Sequence, residues 1–244
     1  MKSQFPNVVT ACNLICGCIA TVYALYFDAY TALLFIILGA VFDFGDGLSA
    51  RVLKVSSPIG KELDSLADDI TFGLAPSAIV CNELCLLDYP GWMDCVKEYF
   101  PFLAFIMAAF SAARLAKFNL DERQTTSFIG LPTPANALFW GSLIAGYHTF
   151  FENIEYAPVI ILLMTFASSY LLVCEMPMFA LKFKHWGFGD TDNKVKYGFI
   201  AFSVVVFLAF LVNGMAVRSI AIIILAYILV SFIMWRIKSH KKAL

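Results

Sequence analysis

DFGDGLSARVLKVSSPIGKELDSLAD, residues 43–68, places four aspartates, Asp43, Asp46, Asp64 and Asp68, inside two otherwise apolar segments. Both segments are long and hydrophobic enough to cross a membrane as helices. A charged side chain deep in a bilayer costs at least ~2.5–3.5 kcal/mol, so such residues point to function. At about 100° per residue, Asp43, Asp46, Gly47 and Ala50 share one face of the first helix. Gly60, Asp64 and Asp68 share one face of the second. Between them lies a short link, Lys54-Val55-Ser56-Ser57, closed by Pro58, a residue suited to the first turn of a new helix. So short a link predicts an antiparallel hairpin. Asp46 then lies level with Asp64, and Asp43 with Asp68, so the carboxylate faces converge. Gly47, Ala50 and Gly60 leave those faces nearly bare, with room for a ligand.

Four carboxylates gathered in a low-dielectric site cannot all stay ionised without a cation. Hard oxygen ligands suit Mg²⁺, Mn²⁺ or Ca²⁺ and argue against zinc or copper. A carboxylate-held metal pair with open coordination positions is suited to displacement at phosphorus.

The surrounding composition agrees with a membrane setting. The 244 residues are 61% hydrophobic and 14% charged, with mean hydropathy +0.79, which identifies an integral membrane protein. The net charge of −1 says nothing useful about nucleic acid, and what matters is where the charges lie; no nucleic-acid partner is expected. The seven cysteines show no zinc spacing and mostly read as small buried hydrophobes. Cys81, Cys85 and Cys95 flank one polar loop and could pair only if it faced an oxidising compartment.

Apolar segments at about 6–27, 30–53, 58–87, 98–119, 132–151, 156–181, 195–213 and 216–237 predict eight spans. Each is long enough to cross ~30 Å of hydrocarbon. The fold expected is an all-α, polytopic transmembrane bundle forming one domain, residues 1–244. Six helices over 1–181 form its core, and two more follow over 195–237. The first segment follows Lys2 but lacks a cleavage site, so it reads as a span rather than a signal peptide. Its Asn7, Thr10 and Asn13 share one side and suit a protein-facing surface. Asn213-Gly214 marks a tight turn between the last two spans.

Of the 17 lysines and arginines, all but Lys97 and Arg218 fall on the side that holds the hairpin link. The positive-inside rule therefore places that link and both termini in the cytoplasm. The loop from Leu181 to Lys196 carries Phe183, Trp186 and Phe188 among lysines and reads as an interfacial segment. Glu175, placed by hydropathy within the sixth span, reads as a further intramembrane acid whose partner the sequence does not name.

The spacing D-x2-D-G-x2-A-R-x8-G-x3-D-x3-D is met at Asp43, Asp46, Gly47, Ala50, Arg51, Gly60, Asp64 and Asp68. It resembles the signature of the CDP-alcohol phosphotransferases, membrane enzymes that move a phosphoryl-linked group from a CDP-activated donor to an alcohol. The FPNVVTACNLICG start, the GKELDSLADDITFGLAPS run, the ARLAKFNL segment and the FIGLPTPANA loop are similar to the phosphatidylserine-forming branch. Together these cover most of residues 5–137. The glycerol-phosphate enzymes usually carry Pro after the third aspartate and Lys after the fourth; here Ser65 and Asp69 stand there.

The resemblance implies CDP-diacylglycerol and L-serine as substrates, two Mg²⁺ or Mn²⁺ ions per site, a homodimer, and a multi-pass protein of the cytoplasmic (inner) membrane. It implies Asp43, Asp46 and Asp64, with Asp68, as metal ligands, and Asp68 as the general base. Gly47, Ala50, Arg51, Gly60 and Asn13 would contact CDP-diacylglycerol. Serine also needs a cation for its carboxylate, for which Arg114 and Arg123 are the candidates. Two other readings stay open. One is the same family with glycerol 3-phosphate, inositol phosphate or an ether-lipid donor. The other is a divalent-cation transporter, which would account for the carboxylates but not for the glycines and Arg51.

Overall fold

A computed structural model describes residues 4–26, 28–55, 57–121, 128–179 and 191–242. The first rod, α1 (Phe5–Leu25), packs along α2 (Ala29–Leu53), whose amino end is capped by Asp28 accepting from the Thr31 amide at 2.8 Å. After the link, Ser57 caps α3 (Pro58–Asp68) by accepting from the Gly60 amide at 2.9 Å, with Pro58 at the first turn as expected. A single π-helical stretch, Asp69–Leu74, then leads into α4 (Ala75–Leu86), so that Pro58–Leu86 is one long rod. Such π insertions occur mostly at functional sites, and this one begins beside Asp68.

Short 3₁₀ turns at Gly91–Met93 and Phe100–Phe105 lead into α5 (Ile106–Leu120), followed by α6 (Thr133–Phe151) and α7 (Ala157–Val173). Two more helices, α8 (Thr191–Val212) and α9 (Ala216–Lys242), complete the chain, joined at Gly214 with φ +69°. Helix α9 lies on α6, whereas α8 packs mainly on α9. Around fully buried Trp140, Phe72, Leu84 and Ile161 the rods form one interior, with the Trp140 indole donating to Ser168 Oγ at 2.9 Å. Leucines, valines and phenylalanines cover the outside, as expected for helices in lipid.

Among the described residues, six rods are both long and apolar enough to cross a membrane: Phe5–Leu25, Ala29–Leu53, Pro58–Leu86, Phe100–Leu120, Asn193–Val212 and Ala216–Ile237. Helices α6 and α7 supply the other two rods, of 19 and 17 residues. The expected sixth span, 156–181, is too long. Helix α7 stops at Val173, and the chain forms a two-residue strand β2 (Pro177–Met178), antiparallel to β1 (Phe128–Ile129). The reason lies in the FIGLPT loop. Leu131 N–H takes the Leu171 carbonyl at 2.8 Å and Gly130 N–H takes that of Met176 at 2.9 Å, satisfying acceptors that a continued helix would have used. Gly130 has φ +77°, and a Cβ there would stand 2.5 Å from the Leu172 carbonyl oxygen, so only glycine fits. Glu175 consequently lies beyond the helix, exposed, with Lys117 Nζ at 3.9 Å. It does not sit within a continuous sixth span.

The aspartate hairpin also differs in detail from expectation. Helices α2 and α3 are antiparallel but hardly meet directly; α1 packs along both and holds them apart. The space left between them is the site.

Candidate active site

Carboxylate oxygens of Asp43, Asp64 and Asp68 all lie within 4.8 Å of one another. Asp43 comes from α2, Asp64 and Asp68 from successive turns of α3, as helical spacing requires. Asp46, one turn from Asp43 toward the link, is buried, and its Oδ2 accepts from the Thr10 hydroxyl at 2.6 Å. Asn13, one turn further along α1, donates from Nδ2 to Asp68 Oδ1 at 3.1 Å, while its backbone carbonyl accepts from Thr71 Oγ1 at 3.0 Å. The polar face read on α1 is thus turned onto the aspartates, with Thr10 at one end of the row and Asn13 at the other.

The donor set fits a hard divalent cation. Three carboxylates meet within one coordination shell, and Asp64 Oδ1 is buried with no hydrogen-bond partner. None of the four aspartates forms an ion pair among the described residues. An unpaired buried carboxylate is costly, and a bound cation is the ordinary remedy.

Next to the row a pocket of about 320 Å³ opens toward the α2–α3 link, lined by Asp46, Gly47, Ala50, Gly60, Lys61 and Asp64 with Pro6, Asn7 and Thr10 of α1. The bare positions expected on the two helices therefore face one cavity. Gly60 is small for a further reason: a Cβ there would stand 2.9 Å from Asn7 Oδ1. Asn7 and Thr10 were legible as part of a polar stripe on α1, but their place in the cavity was not. Asn13 stands among the carboxylates rather than on the pocket wall. Arg51 is exposed and folds back, its Nε donating to the Gly47 carbonyl at 2.9 Å. It lies at the rim of the pocket, not on its lining.

Behind Asp68 stands Arg114 of α5, buried and in electrostatic contact with that carboxylate. Among the described residues its one side-chain hydrogen bond is long, 3.5 Å from Nη1 to Thr133 Oγ1 of α6, and its Nε has no partner. Arg123, with Phe183, Trp186 and Phe188, lies outside the described residues. Ser65, which stands where glycerol-phosphate enzymes carry Pro, accepts from Asn119 Nδ2 at 2.7 Å and so ties α3 to the end of α5.

Against known proteins, the profile described as CDP-alcohol phosphatidyltransferase matches residues 3–179. The chain belongs to the CDP-alcohol phosphatidyltransferase family. The matched span ends at the β1–β2 pair, so α8 and α9 lie outside the family unit. Among curated relatives, the CDP-diacylglycerol–serine O-phosphatidyltransferase of Bacillus subtilis is 34% identical over 192 residues, 78% of this chain and 96% of the relative. Proteins of the same name from Helicobacter pylori and Mycobacterium bovis are 34% and 30% identical. These two alignments cover 55% and 71% of this chain, and 54% and 60% of the relatives.

Proposed function

We propose that this protein transfers the phosphatidyl group of CDP-diacylglycerol to the hydroxyl of L-serine, giving phosphatidylserine and CMP. The observation that carries the reading is the meeting of Asp43, Asp64 and Asp68 beside a nucleotide-sized pocket, in a chain whose curated relatives bear the serine enzyme's name. Asp43, Asp46 and Asp64, with one oxygen of Asp68, would hold two Mg²⁺ or Mn²⁺ ions. Such ions, when bound, neutralise the pyrophosphate and the charge that develops on departing CMP.

The chain's own groups do the rest. Gly47, Ala50 and Gly60 leave the pocket wall flat enough for the cytidine. Arg51 at the rim is within reach of phosphates once it releases the Gly47 carbonyl. Asn13 occupies Asp68 Oδ1, which leaves Oδ2 as the base that takes the serine proton. Serine Oγ then forms a bond to the lipid-bearing phosphorus as the pyrophosphate bond to CMP breaks, the electron pair leaving with CMP. Arg114 supplies the cation that serine's carboxylate requires. The lipid chains stay between helices in the bilayer, which accounts for an active site within the membrane.

The one-sided distribution of lysine and arginine supports a site open to the cytoplasm, in the inner membrane of the cell. Family membership supports a homodimer, which mass measurement of the detergent-solubilised protein would check. The activity itself is tested by CMP release from CDP-diacylglycerol with L-serine, ethanolamine, glycerol 3-phosphate and inositol phosphate, with and without chelator. Serine-dependent, metal-dependent release is expected. Preference for another alcohol would move the protein to a different branch, and no release with any alcohol would favour a cation transporter.

A further inference from the structure

Eight buried side-chain oxygens and nitrogens lack a hydrogen-bond partner among the described residues. Two, Asn13 Oδ1 and Asp64 Oδ1, belong to the metal row. Five others, Asp69 Oδ1, Ser111 Oγ, Arg114 Nε and both Asn136 amide atoms, come from the π-helical stretch and from the two helices, α5 and α6, that each pack on it. They converge in two steps. A Cβ on Gly73 would stand 2.6 Å from Asp69 Oδ1 and 2.9 Å from Ser111 Oγ, so the two groups meet over a bare glycine, with the Ser111 hydroxyl close to the Asp69 carboxylate but not aligned for a good hydrogen bond to it. Arg114, one turn beyond Ser111 on α5, reaches Thr133, and Asn136 lies one turn along the same face of α6. Tyr227 of α9 stands close to Arg114 and donates to the Phe179 carbonyl at 3.1 Å.

Natural interiors leave few polar groups unmatched, and Asn136 is an extreme case. Its side chain is wholly buried, with neither its two donors nor its acceptor used. Arg114 is 7% exposed and its Nε has no partner. A single charged ligand of one sign would not answer this set, because it offers an anion, a cation and an amide with both polarities. A zwitterion would answer all three.

We infer that Asp69, Arg114 and Asn136 form the recognition site for the amino-acid head of the acceptor: Asp69 takes the ammonium, Arg114 the carboxylate, and the Asn136 amide one bond from each. This rests on the serine reading above and deepens it. Asp69 directly follows Asp68, so an acceptor held here presents its hydroxyl to the base. The same carboxylate repels a phosphorylated alcohol, which gives Asp69 a role in rejection as well as in binding.

The test uses the full-length enzyme in detergent, CDP-diacylglycerol, and four acceptors. These are L-serine, ethanolamine (no carboxylate), 3-hydroxypropanoate (no ammonium) and glycerol 3-phosphate. Asp69→Asn is expected to lower kcat/KM for serine and for ethanolamine by about 10–100-fold. The ratio of 3-hydroxypropanoate to serine turnover should rise accordingly, with KM for CDP-diacylglycerol unchanged. Asn136→Leu is expected to raise the serine KM about 10-fold while the melting temperature of the acceptor-free protein holds or rises, since an unmatched buried amide gives the fold nothing. Should either protein fail to fold, Asp69→Ser and Asn136→Ala take its place. Equal losses for all four acceptors, a parallel rise in the CDP-diacylglycerol KM, or a lower melting temperature with an unchanged serine KM would overturn the inference, as would failure of both substitutions at a position to fold. A wild type that prefers glycerol 3-phosphate would instead sink the serine reading itself, and the unmutated protein reports that separately.

Discussion

Two sets of buried acids sit toward opposite ends of the bundle, and they are held in opposite ways. At the link end Asp43, Asp64 and Asp68 crowd one another, and among the described residues none of them forms an ion pair, Arg114 acting on Asp68 only from a distance. Toward the far end of the same rod, Glu83 of α4 is 2% exposed, and both its oxygens lie within 3.0 Å of His148 Nδ1 on α6. The other ring nitrogen of His148 is 3.2 Å from Glu152. His148 thus bridges the two carboxylates, one ring nitrogen on each. Glu83 is buried and the three aspartates are half-buried; beyond that, completion separates them. Glu83 is answered by the fold, so it reads as structure, whereas the aspartates are left for something from outside. Unmatched charge, rather than buried charge, marks the site.

The largest expected effect follows from that contrast. Asp43→Asn or Asp64→Asn should cut turnover by roughly 10³-fold or more, since a metal site contributes several kcal/mol to such displacements. In the metal-free protein the same substitutions should raise the melting temperature, because they relieve like-charge crowding. Calorimetric Mg²⁺ or Mn²⁺ titrations and melting curves with and without chelator read both. A lower metal-free melting temperature would mean that the aspartates serve the fold as Glu83 does.

Asp68→Asn should act on a different step. Loss of a general base predicts a fall of about 10²–10⁴-fold in kcat, with metal and CDP-diacylglycerol affinity largely retained. Equal loss of binding and rate would make Asp68 chiefly a ligand. Thr10→Val should be milder, because Thr10 only holds Asp46 through its 2.6 Å hydrogen bond. Partners of that kind are worth about 10–100-fold in metal affinity, read from the metal dependence of the rate.

The aspartate half of this contrast is legible in the sequence, while the Glu83–His148 pair is not. The four aspartates, the bare positions and the antiparallel link follow from helical spacing and a four-residue connection, which leave little geometric freedom. The eight rods follow from hydropathy. What escaped has physical reasons. Helical periodicity within two segments cannot show that a third helix, α1, holds them apart, so Asn7 and Thr10 were seen as a stripe without a destination. The end of α7 is set by a loop about forty residues earlier in the chain, whose Leu131 amide takes the Leu171 carbonyl of its last turn and whose Gly130 amide takes that of Met176 just beyond it; nothing local to 174–181 announces it except Pro177. Glu175 was therefore drawn into the sixth span. Ser65 seemed to mark the acceptor, yet it is occupied with Asn119. Asp69, the other departure from the glycerol-phosphate pattern, keeps a buried Oδ1 without a hydrogen-bond partner.

The smallest effect on turnover, and the sharpest test of the comparison, is expected at Glu83. Removing one partner of a buried pair costs about 3–5 kcal/mol, but the His148 side chain is 38% exposed, and water can take over part of what Glu83 gives it. A loss of roughly 1–3 kcal/mol is the better expectation for Glu83→Gln. It would be read as a lower melting temperature in detergent. The rate with saturating substrates at a temperature where the variant is folded should stay near that of the wild type, and its response to added metal should be unaltered. His148→Gln should cost less, since Glu83 and Glu152 lose a bond but Glu152 is already half exposed. The double variant should cost less than the two single losses combined, as contacting residues do when one interaction is removed twice. Additive losses would show that Glu83 and His148 act separately. A turnover loss at Glu83 as deep as that at Asp43 would erase the distinction between an acid completed by the fold and one left for a ligand.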